Sequence, residues 1–204
     1  MGTRIGLVGY GMGNIMSLIN ALKAIDAEVF VAETPRDLEA ARHLILPGVG
    51  AFPKGMEQLR LLGFDDAIRR LVVEEGRPLL GVCLGMQLLA SVGEEHRVCD
   101  GLGLIPGRVT RLKTDGLRLP HVGWNDTVSH RENPLLSPPG TQEAFYYVHS
   151  FHFVPEQPEH VILTSSYGTE FAAGVQRENI FGVQFHPEKS HKGGLHLLRQ
   201  FIAL

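Results

Sequence analysis

Short apolar runs alternate with amphipathic stretches along the first half of the chain. The runs end in glycine or polar residues and predict buried strands at residues 4–10, 28–32, 43–46 and 79–82. Apolar residues then recur at helical spacing at Ile15, Leu18, Ile19, Leu22 and Ile25. Two further helices are predicted at residues 64–75, where Gly76 ends the helix, and at residues 84–92. Residues 34–37 (Thr-Pro-Arg-Asp) have the composition of a helix N-terminus and predict that another helix starts there.

This alternation predicts an α/β fold with a mainly parallel open sheet and helices on both of its faces. Between residues 107 and 185, short β-like runs such as 161–165 and 172–176 predict antiparallel strands that extend one edge of the sheet. Residues 131–140 (RENPLLSPPG) predict a loop, and residues 194–204 predict a last helix. With no repeat or low-complexity linker, we expect a single domain over residues 1–204. Ligands of such sheets bind beyond the carboxyl ends of the strands.

The composition indicates an ordinary globular protein but does not indicate which reaction it catalyses. The 204 residues are 44% hydrophobic and 20% charged, with a net charge of −3, which is typical of a globular protein and argues against nucleic acid as a partner. No apolar stretch reaches about 18 residues, and no signal-peptide core or myristoylation signal opens the chain, so we expect no membrane association. The two cysteines, Cys83 and Cys99, favour a reduced, cytoplasmic location over a disulfide framework.

Cys83 is the candidate nucleophile. It stands in G-x-C-x-G, between the predicted strand at residues 79–82 and the helix that follows, as serine does in a nucleophile elbow. Gly81 and Gly85 leave room where strand and helix approach each other. A thiol at a helix N-terminus is favoured as thiolate, and the N–H of Leu84 can donate to an oxyanion. The alternative is a buried structural cysteine in a tight turn, as we expect for Cys99.

His186 is the candidate base for this thiol. The run Ile-Phe-Gly-Val-Gln-Phe at residues 180–185 ends in His186-Pro187-Glu188. Residues two apart at a strand end point the same way, so Glu188 is expected to reach the imidazole and fix its tautomer. The alternative is a strand-terminating histidine followed by a solvated surface carboxylate.

Together these motifs resemble the triad-type, class I glutamine amidotransferases, a family with a flavodoxin-like glutaminase fold. The resemblance implies an oxyanion loop at residues 46–50 (LPGVG), in which N–H groups at Val49 and Gly50 complement the N–H of Leu84. It also implies that Gln87 contacts the substrate glutamine. The glycines at positions 48 and 50 would permit a peptide flip in this loop, so Gly50→Ala is expected to depress activity without unfolding the chain.

Three further segments, YGMGN at residues 10–14, PHVGWN at 120–125 and YYVHS at 146–150, resemble the glutaminase subunits of imidazole glycerol phosphate synthases. Phe151 stands where that family more often has tyrosine. The resemblance implies a heterodimer with a (β/α)₈-barrel cyclase subunit, which receives the ammonia in histidine biosynthesis. It further implies that His149 and Ser150 shape the glutamine site and that Asn14, Trp124 and Asn125 lie near the subunit interface.

Several other functions remain open at this point. The glycines after the first strand approach a dinucleotide-binding loop, but Asn14 replaces the last glycine of G-x-G-x-x-G. The glutaminase subunits of anthranilate, aminodeoxychorismate or pyridoxal phosphate synthases share the elbow, and a regulatory module without activity can share the fold. The histidine pairs 149/152 and 186/191 lack the spacing of a zinc site, so we expect neither a metal nor a cofactor.

Overall fold

The computed structural model describes residues 4–136 and 138–204, and within them thirteen strands and five α-helices. The strands are β1 (Arg4–Val8), β2 (Glu28–Ala32), β3 (His43–Leu46), β4 (Leu79–Val82), β5 (Val92–Gly93), β6 (Cys99–Asp100), β7 (Gly107–Arg111), β8 (His121–Ser129), β9 (Gln142–His149), β10 (Phe151–Pro155), β11 (Val161–Tyr167), β12 (Thr169–Arg177) and β13 (Ile180–Val183). The helices are α1 (Ile15–Lys23), α2 (Phe52–Leu62), α3 (Phe64–Arg69), α4 (Leu84–Leu88) and α5 (His191–Ile202).

The main sheet is parallel on one side and antiparallel on the other. In the described part of the chain its order is β2-β1-β3-β4-β13-β12-β11-β8-β9. Strands β2, β1, β3, β4 and β13 run parallel to one another, and β12, β11, β8 and β9 continue the sheet in antiparallel pairs. The predicted α/β fold, with an antiparallel extension on one edge, is confirmed.

Helices cover both faces of the parallel half. Leu18 and Leu22 of α1 join Leu197 and Phe201 of α5 in one apolar cluster. On the other face, α2, α3 and α4 contribute Phe52, Met56, Leu59, Phe64, Ile68, Leu84 and Leu88 to a second cluster. Burial of these side chains supplies the main driving force for folding. No helix among residues 4–136 and 138–204 is long and apolar enough to cross a membrane.

The structure corrects three local predictions and adds a helix. The elbow helix ends at Leu88 instead of reaching residue 92, because the chain turns there and Val92 enters β5. The segment after Thr34 is a short 3₁₀ helix, Pro35–Ala40, although the expected cap forms: the Thr34 N–H donates to Asp37 Oδ2 over 2.8 Å. Beyond α3 the predicted helix continues as a π-helical turn, Arg70–Glu74. The helix α2 was not predicted at all.

A second, smaller sheet was also missed. Its order in the described residues is β10-β7-β5-β6, and two of its strands contain only two residues each. Such short strands leave no periodicity to detect. The loop predicted at residues 131–140 contains neither helix nor strand where it is described, and residue 137 lies outside the described residues. Residue 2, the glycine that a myristoylation signal would need, also lies outside the described residues.

Candidate active site

The candidate residues meet at the carboxyl ends of three neighbouring strands. β4 pairs with β3 on one side and with β13 on the other, all in parallel. The end of β4 leads into Cys83, the end of β3 leads into the loop at residues 47–50, and the end of β13 leads towards His186. The parallel register therefore brings together residues that are roughly 35 to 140 positions apart in the sequence, at the edge where such sheets bind ligands.

Cys83 has the backbone of a nucleophile elbow. Its φ of 55° and ψ of −111° lie outside the regions that residues with a side chain favour, at a cost of about 1–3 kcal/mol. The Cys83 N–H donates to the Val183 carbonyl over 2.8 Å and fixes the turn to β13. A Cβ on Gly85 would lie 1.8 Å from the Leu46 carbonyl oxygen, and one on Gly81 would lie 2.7 Å from the Gly85 backbone. Both glycines are therefore required for close packing, as the motif predicted.

His186 and Glu188 form a buried pair beside the cysteine. The Nδ1 of His186 lies 2.8 Å from Glu188 Oε1, and the two side chains are 5% and 2% exposed. The contact was expected, but its geometric basis was wrong: β13 ends at Val183, and Glu188 reaches the imidazole from a 3₁₀ turn, Pro187–Lys189. Ser190 supports this turn by donating to the His186 carbonyl over 2.6 Å.

The electrostatics of the pair favour a charged imidazole. Burial lowers the pKa of His186, but hydrogen bonds with Cys83 and Glu188 and the negative charges of both outweigh it and raise the pKa to about 10. Because Nδ1 is held by the carboxylate, Nε2 is the ring nitrogen left to face the sulfur. This arrangement can hold a thiolate and can deliver a proton to a leaving group.

The loop after β3 provides backbone donors next to the cysteine. Within the described part of the chain, the N–H groups of Val49, Gly50 and Leu84 donate no hydrogen bond, and the three residues line one cavity with Cys83. Gly50 has a φ of 124°, a conformation that side chains disfavour. The loop is fixed upstream, where the buried Tyr10 hydroxyl donates to the Pro47 carbonyl over 2.8 Å.

Gln87 is held so that only its oxygen remains for a ligand. Its Nε2 donates to the Phe151 carbonyl over 2.9 Å and to Gln184 Oε1 over 3.0 Å. Both hydrogens of the amide are thereby used, and Oε1 is the atom left to accept a hydrogen bond in the cavity. Gln184, which no motif singled out, also places its Nε2 3.9 Å from Cys83 Sγ.

A cavity of about 290 Å³ joins these residues. Most predicted site residues line it, as do several that sequence reasoning missed: Val49, Gly50, Cys83, Leu84, Gln87, His149, Ser150 and His186 from the prediction, and Glu95, Pro120, Val148, Phe151 and Lys189 beyond it. Glu188 lies behind His186 and outside this lining. Glu95 follows β5 in a region with no motif, so only the fold reveals that this residue lines the cavity.

The residues predicted near a subunit interface differ in their environment. Trp124 is 47% exposed and stacks on the His191 ring, with centroids 5.0 Å apart. Asn14 is exposed and caps α1, where its side chain accepts from the Ser17 N–H. The Asn125 side chain is directed to groups within the chain, because its Nδ2 donates to the Ser166 carbonyl over 2.8 Å.

Histidines and acids are numerous, and how they are grouped decides whether they could hold a metal ion. In residues 4–136 and 138–204 no group of three or more histidine, cysteine, aspartate or glutamate side chains is arranged to hold an ion. The pairs 149/152 and 186/191 instead make ring contacts and hydrogen bonds with neighbouring residues.

Comparison with known proteins matches the chain over almost its whole length. A family model described as glutamine amidotransferase class-I matches residues 7–204. A relative from Moorella thermoacetica is 48% identical over 199 residues, which cover 97% of this chain and 93% of the relative. One from Pseudomonas aeruginosa is 43% identical over 201 residues, 98% of this chain and 99% of the relative. Both are described as imidazole glycerol phosphate synthase subunit HisH, the second as HisH 2.

Solved structures share the fold at much lower sequence identity. A structure titled glutamine amidotransferase superimposes with a TM-score of 0.76 at 21% identity, covering 98% of this chain and 99% of that chain. The structure of PurLQS from Thermotoga maritima gives a TM-score of 0.74 at 21% identity, covering 100% of this chain and 99% of that chain.

Proposed function

The chain belongs to the class I glutamine amidotransferase family, and from that premise we propose that it is the glutaminase subunit of imidazole glycerol phosphate synthase. It hydrolyses glutamine and passes the ammonia to a cyclase subunit. The observation that supports the chemistry best is the strained Cys83 at the end of β4, beside the buried His186–Glu188 pair. The relatives named HisH, at 43–48% identity over nearly their whole length, support the synthase.

In the first half-reaction the Cys83 thiolate attacks the side-chain amide carbon of glutamine. The resulting oxyanion accepts hydrogen bonds from the Leu84 N–H and from the Val49–Gly50 region, and one such donor contributes about 3 kcal/mol in comparable sites. The His186 imidazolium gives its Nε2 proton to the leaving nitrogen, and ammonia departs as the glutamyl thioester forms.

In the second half-reaction water hydrolyses this thioester. His186, now neutral, accepts a proton from the water at Nε2, and the resulting tetrahedral intermediate expels the Cys83 thiolate as glutamic acid forms. The imidazolium keeps its proton, which restores the thiolate–imidazolium pair for the next turnover. Glu188 remains ionised throughout and holds the imidazole through Nδ1. The Glu95 carboxylate and the acceptor oxygen of Gln87 give the cavity groups suited to the α-ammonium of a free amino acid.

The ammonia acceptor is a separate subunit in this proposal. We infer a (β/α)₈-barrel cyclase that docks near Asn14, Trp124 and Asn125, at the end of the sheet where the cavity opens. Since the reaction needs Cys83 as a reduced thiol, we place the complex in the cytoplasm, and the proposed mechanism uses neither metal nor cofactor.

The test is glutamate release from glutamine by the purified chain, with and without its organism's cyclase subunit and the ribulosyl nucleotide substrate. We expect the rate of glutamate release to rise only when the cyclase subunit and the nucleotide are both present. Cys83→Ala should abolish this rise. Activity that appears only with an anthranilate, aminodeoxychorismate or pyridoxal phosphate synthase partner would support the catalytic triad but would reject a role in histidine biosynthesis. No glutamate release with any partner would favour a regulatory module without activity.

A further inference from the structure

A buried chain of hydrogen bonds begins on strand β8 and leads towards the cavity. Asn125 Nδ2 lies 3.3 Å from His121 Nε2, His121 Nδ1 lies 2.9 Å from His149 Nε2, and His149 Nδ1 lies 2.9 Å from the Phe151 carbonyl oxygen. His121 and His149 are 3% and 6% exposed. They stand opposite each other in the register of β8 and β9, which fixes their separation.

The same Phe151 carbonyl receives a second chain that comes from Cys83. Gln184 Nε2 lies 3.9 Å from Cys83 Sγ, Gln184 Oε1 accepts from Gln87 Nε2 over 3.0 Å, and Gln87 Nε2 also donates to the carbonyl over 2.9 Å. Gln184 is fully buried and Gln87 is 5% exposed. The two chains form one network from Asn125 to the sulfur.

The direction of every donor in this network follows from the Phe151 carbonyl, which can only accept. His149 must therefore carry its hydrogen on Nδ1, which leaves Nε2 as the acceptor for His121. On the other side Gln87 must present its NH₂ group to the carbonyl and to Gln184 Oε1. Gln184 is then left with its N–H pointing at the cysteine sulfur, and an N–H donor favours the thiolate.

The network requires neutral histidines, and their surroundings provide them. Burial lowers the pKa of His149 to about 3 and also lowers the pKa of His121. The His121 ring lies between the rings of Tyr147 and Tyr167, stacked at centroid distances of 5.0 and 4.2 Å. Its orientation is therefore set by packing as well as by its two hydrogen bonds.

We propose that His121 and Gln184 are positioning residues for Cys83. Gln184 orients the sulfur directly, and His121 acts at a distance by holding His149 on the Phe151 carbonyl, which in turn anchors Gln87 and Gln184. This inference rests on the proposed function, in which Cys83 is the nucleophile. Only the carbonyl of residue 151 takes part, so the network does not depend on which side chain stands at this position.

A pair of substitutions at position 121 separates the hydrogen bond from the ring. His121→Phe keeps a ring between the two tyrosines and removes both nitrogens. His121→Asn loses the ring but places an amide N–H near the former Nδ1. The matched control is His152→Phe, since His152 is a partly buried histidine whose ring also contacts Phe171 but which lies outside the network.

The first readout needs no glutamine and no cyclase. In a Cys99→Ser background Cys83 is the remaining thiol, and its alkylation by iodoacetamide at pH 7.5 is followed by mass spectrometry. We expect His121→Phe to slow alkylation by about fivefold and Gln184→Met by about tenfold, as for the loss of one buried hydrogen bond. His121→Asn should recover most of the rate, and His152→Phe should retain it.

The second readout is cyclase-stimulated glutamate release, in which kcat should fall by similar factors while KM changes less. A folded His121→Phe variant with unchanged alkylation and kcat would overturn the proposal, and so would a His121→Asn variant as slow as His121→Phe. If Gln184→Met does not fold, the pair at position 121 decides alone. Glutaminase activity that survives Cys83→Ala would instead overturn the proposed function, whatever the alkylation rates.

Discussion

At the scale of single residues, the site combines backbone strain with a buried charge pair. Cys83 adopts a φ of 55° that a glycine would adopt more easily, and the packing of Gly81 and Gly85 against neighbouring backbone maintains it. Beside it, burial lowers the pKa of the His186 imidazole, but hydrogen bonds with Cys83 and Glu188 and the charges of both outweigh burial and raise this pKa to about 10. The strained turn places the buried Cys83 in the lining of the cavity, and the pair supplies a counter-ion and a proton.

The first prediction concerns Glu188→Gln. The neutral amide removes the charge that stabilises the imidazolium, and its NH₂ group can favour the wrong imidazole tautomer. We expect the pKa of His186 to fall and the cyclase-stimulated rate of glutamate release to drop roughly a hundredfold or more. NMR titration of the imidazole and a steady-state assay would measure the two effects. Glu57→Gln, on the exposed surface of α2, is the control, and an active variant with an unchanged His186 titration would contradict the assignment.

At the scale of elements, two glycines of the loop after β3 have different functions. Gly48 is buried, and a Cβ there would lie 2.7 Å from the Tyr10 hydroxyl and 2.8 Å from the Leu84 Cβ. Gly50 is exposed, and its Cβ would meet only the flexible end of Met12 at 2.8 Å, but its φ is 124°. Close packing therefore requires the first glycine, and backbone conformation requires the second.

The second prediction separates these two roles. Gly50→Ala should lower the rate of glutamate release roughly tenfold or more, because the strained backbone displaces the oxyanion donors, while the thermal midpoint changes little. Gly48→Ala should lower the thermal midpoint as well, because its methyl group has no room. Differential scanning calorimetry and the coupled assay give both quantities. A folded and fully active Gly50→Ala variant would refute a catalytic role for this loop conformation.

The third prediction concerns a buried histidine in β3. His43 is 1% exposed, neither ring nitrogen has a hydrogen-bond partner among the described residues, and burial lowers its pKa to about 4. Below pH 6.5 the unfolded chain takes up a proton that the folded chain refuses until about pH 4, so the native state loses stability as the pH falls through this range. The loss from this residue is about 2 kcal/mol at pH 5.

His43→Leu should therefore reduce the difference in unfolding free energy between pH 7.5 and pH 5, measured by urea denaturation. It should also stabilise the protein at pH 7.5, because two unpaired buried polar atoms disappear. His196→Leu, at an exposed position of α5, provides the comparison and should leave the difference unchanged. An equal pH dependence in both variants would exclude His43 as a source of acid sensitivity.

The structure brings together the candidate residues whose sequence signal is local. The elbow glycines surround Cys83 within two positions, and His186 and Glu188 are two residues apart, so one motif each revealed them. Gln184, His121 and Glu95 become functional candidates only through sheet register and loop packing, which no local pattern encodes. The helix predicted past Leu88 shows the same limit, since the helix is capped at Leu89 and Val92 already belongs to β5 of the second sheet.

At the scale of the whole molecule, the open edge of the sheet connects the cavity with an exposed aromatic surface. Lys189 lines the cavity and places its ammonium 5.8 Å from the centre of the Tyr146 ring, which in turn packs edge-on against Trp124. Val49, in the loop that we propose as the source of oxyanion donors, is 51% exposed and lines the cavity. A partner that covers Trp124 would therefore lie next to the groups that determine turnover.

The last prediction tests this surface as the docking site of the cyclase. Large exposed aromatic residues often dominate the binding energy of interfaces, so Trp124→Ala should raise the Kd for the cyclase at least about tenfold, measured by isothermal titration calorimetry. Because Trp124 also stacks on His191, the first residue of α5, circular dichroism must establish that the fold is retained. Val98→Ala, at a 75% exposed position next to β6, serves as the control and should bind normally. If the Trp124 variant folds and binds as tightly as the Val98 variant, the cyclase docks elsewhere, and the route for ammonia must then open on another face of the cavity.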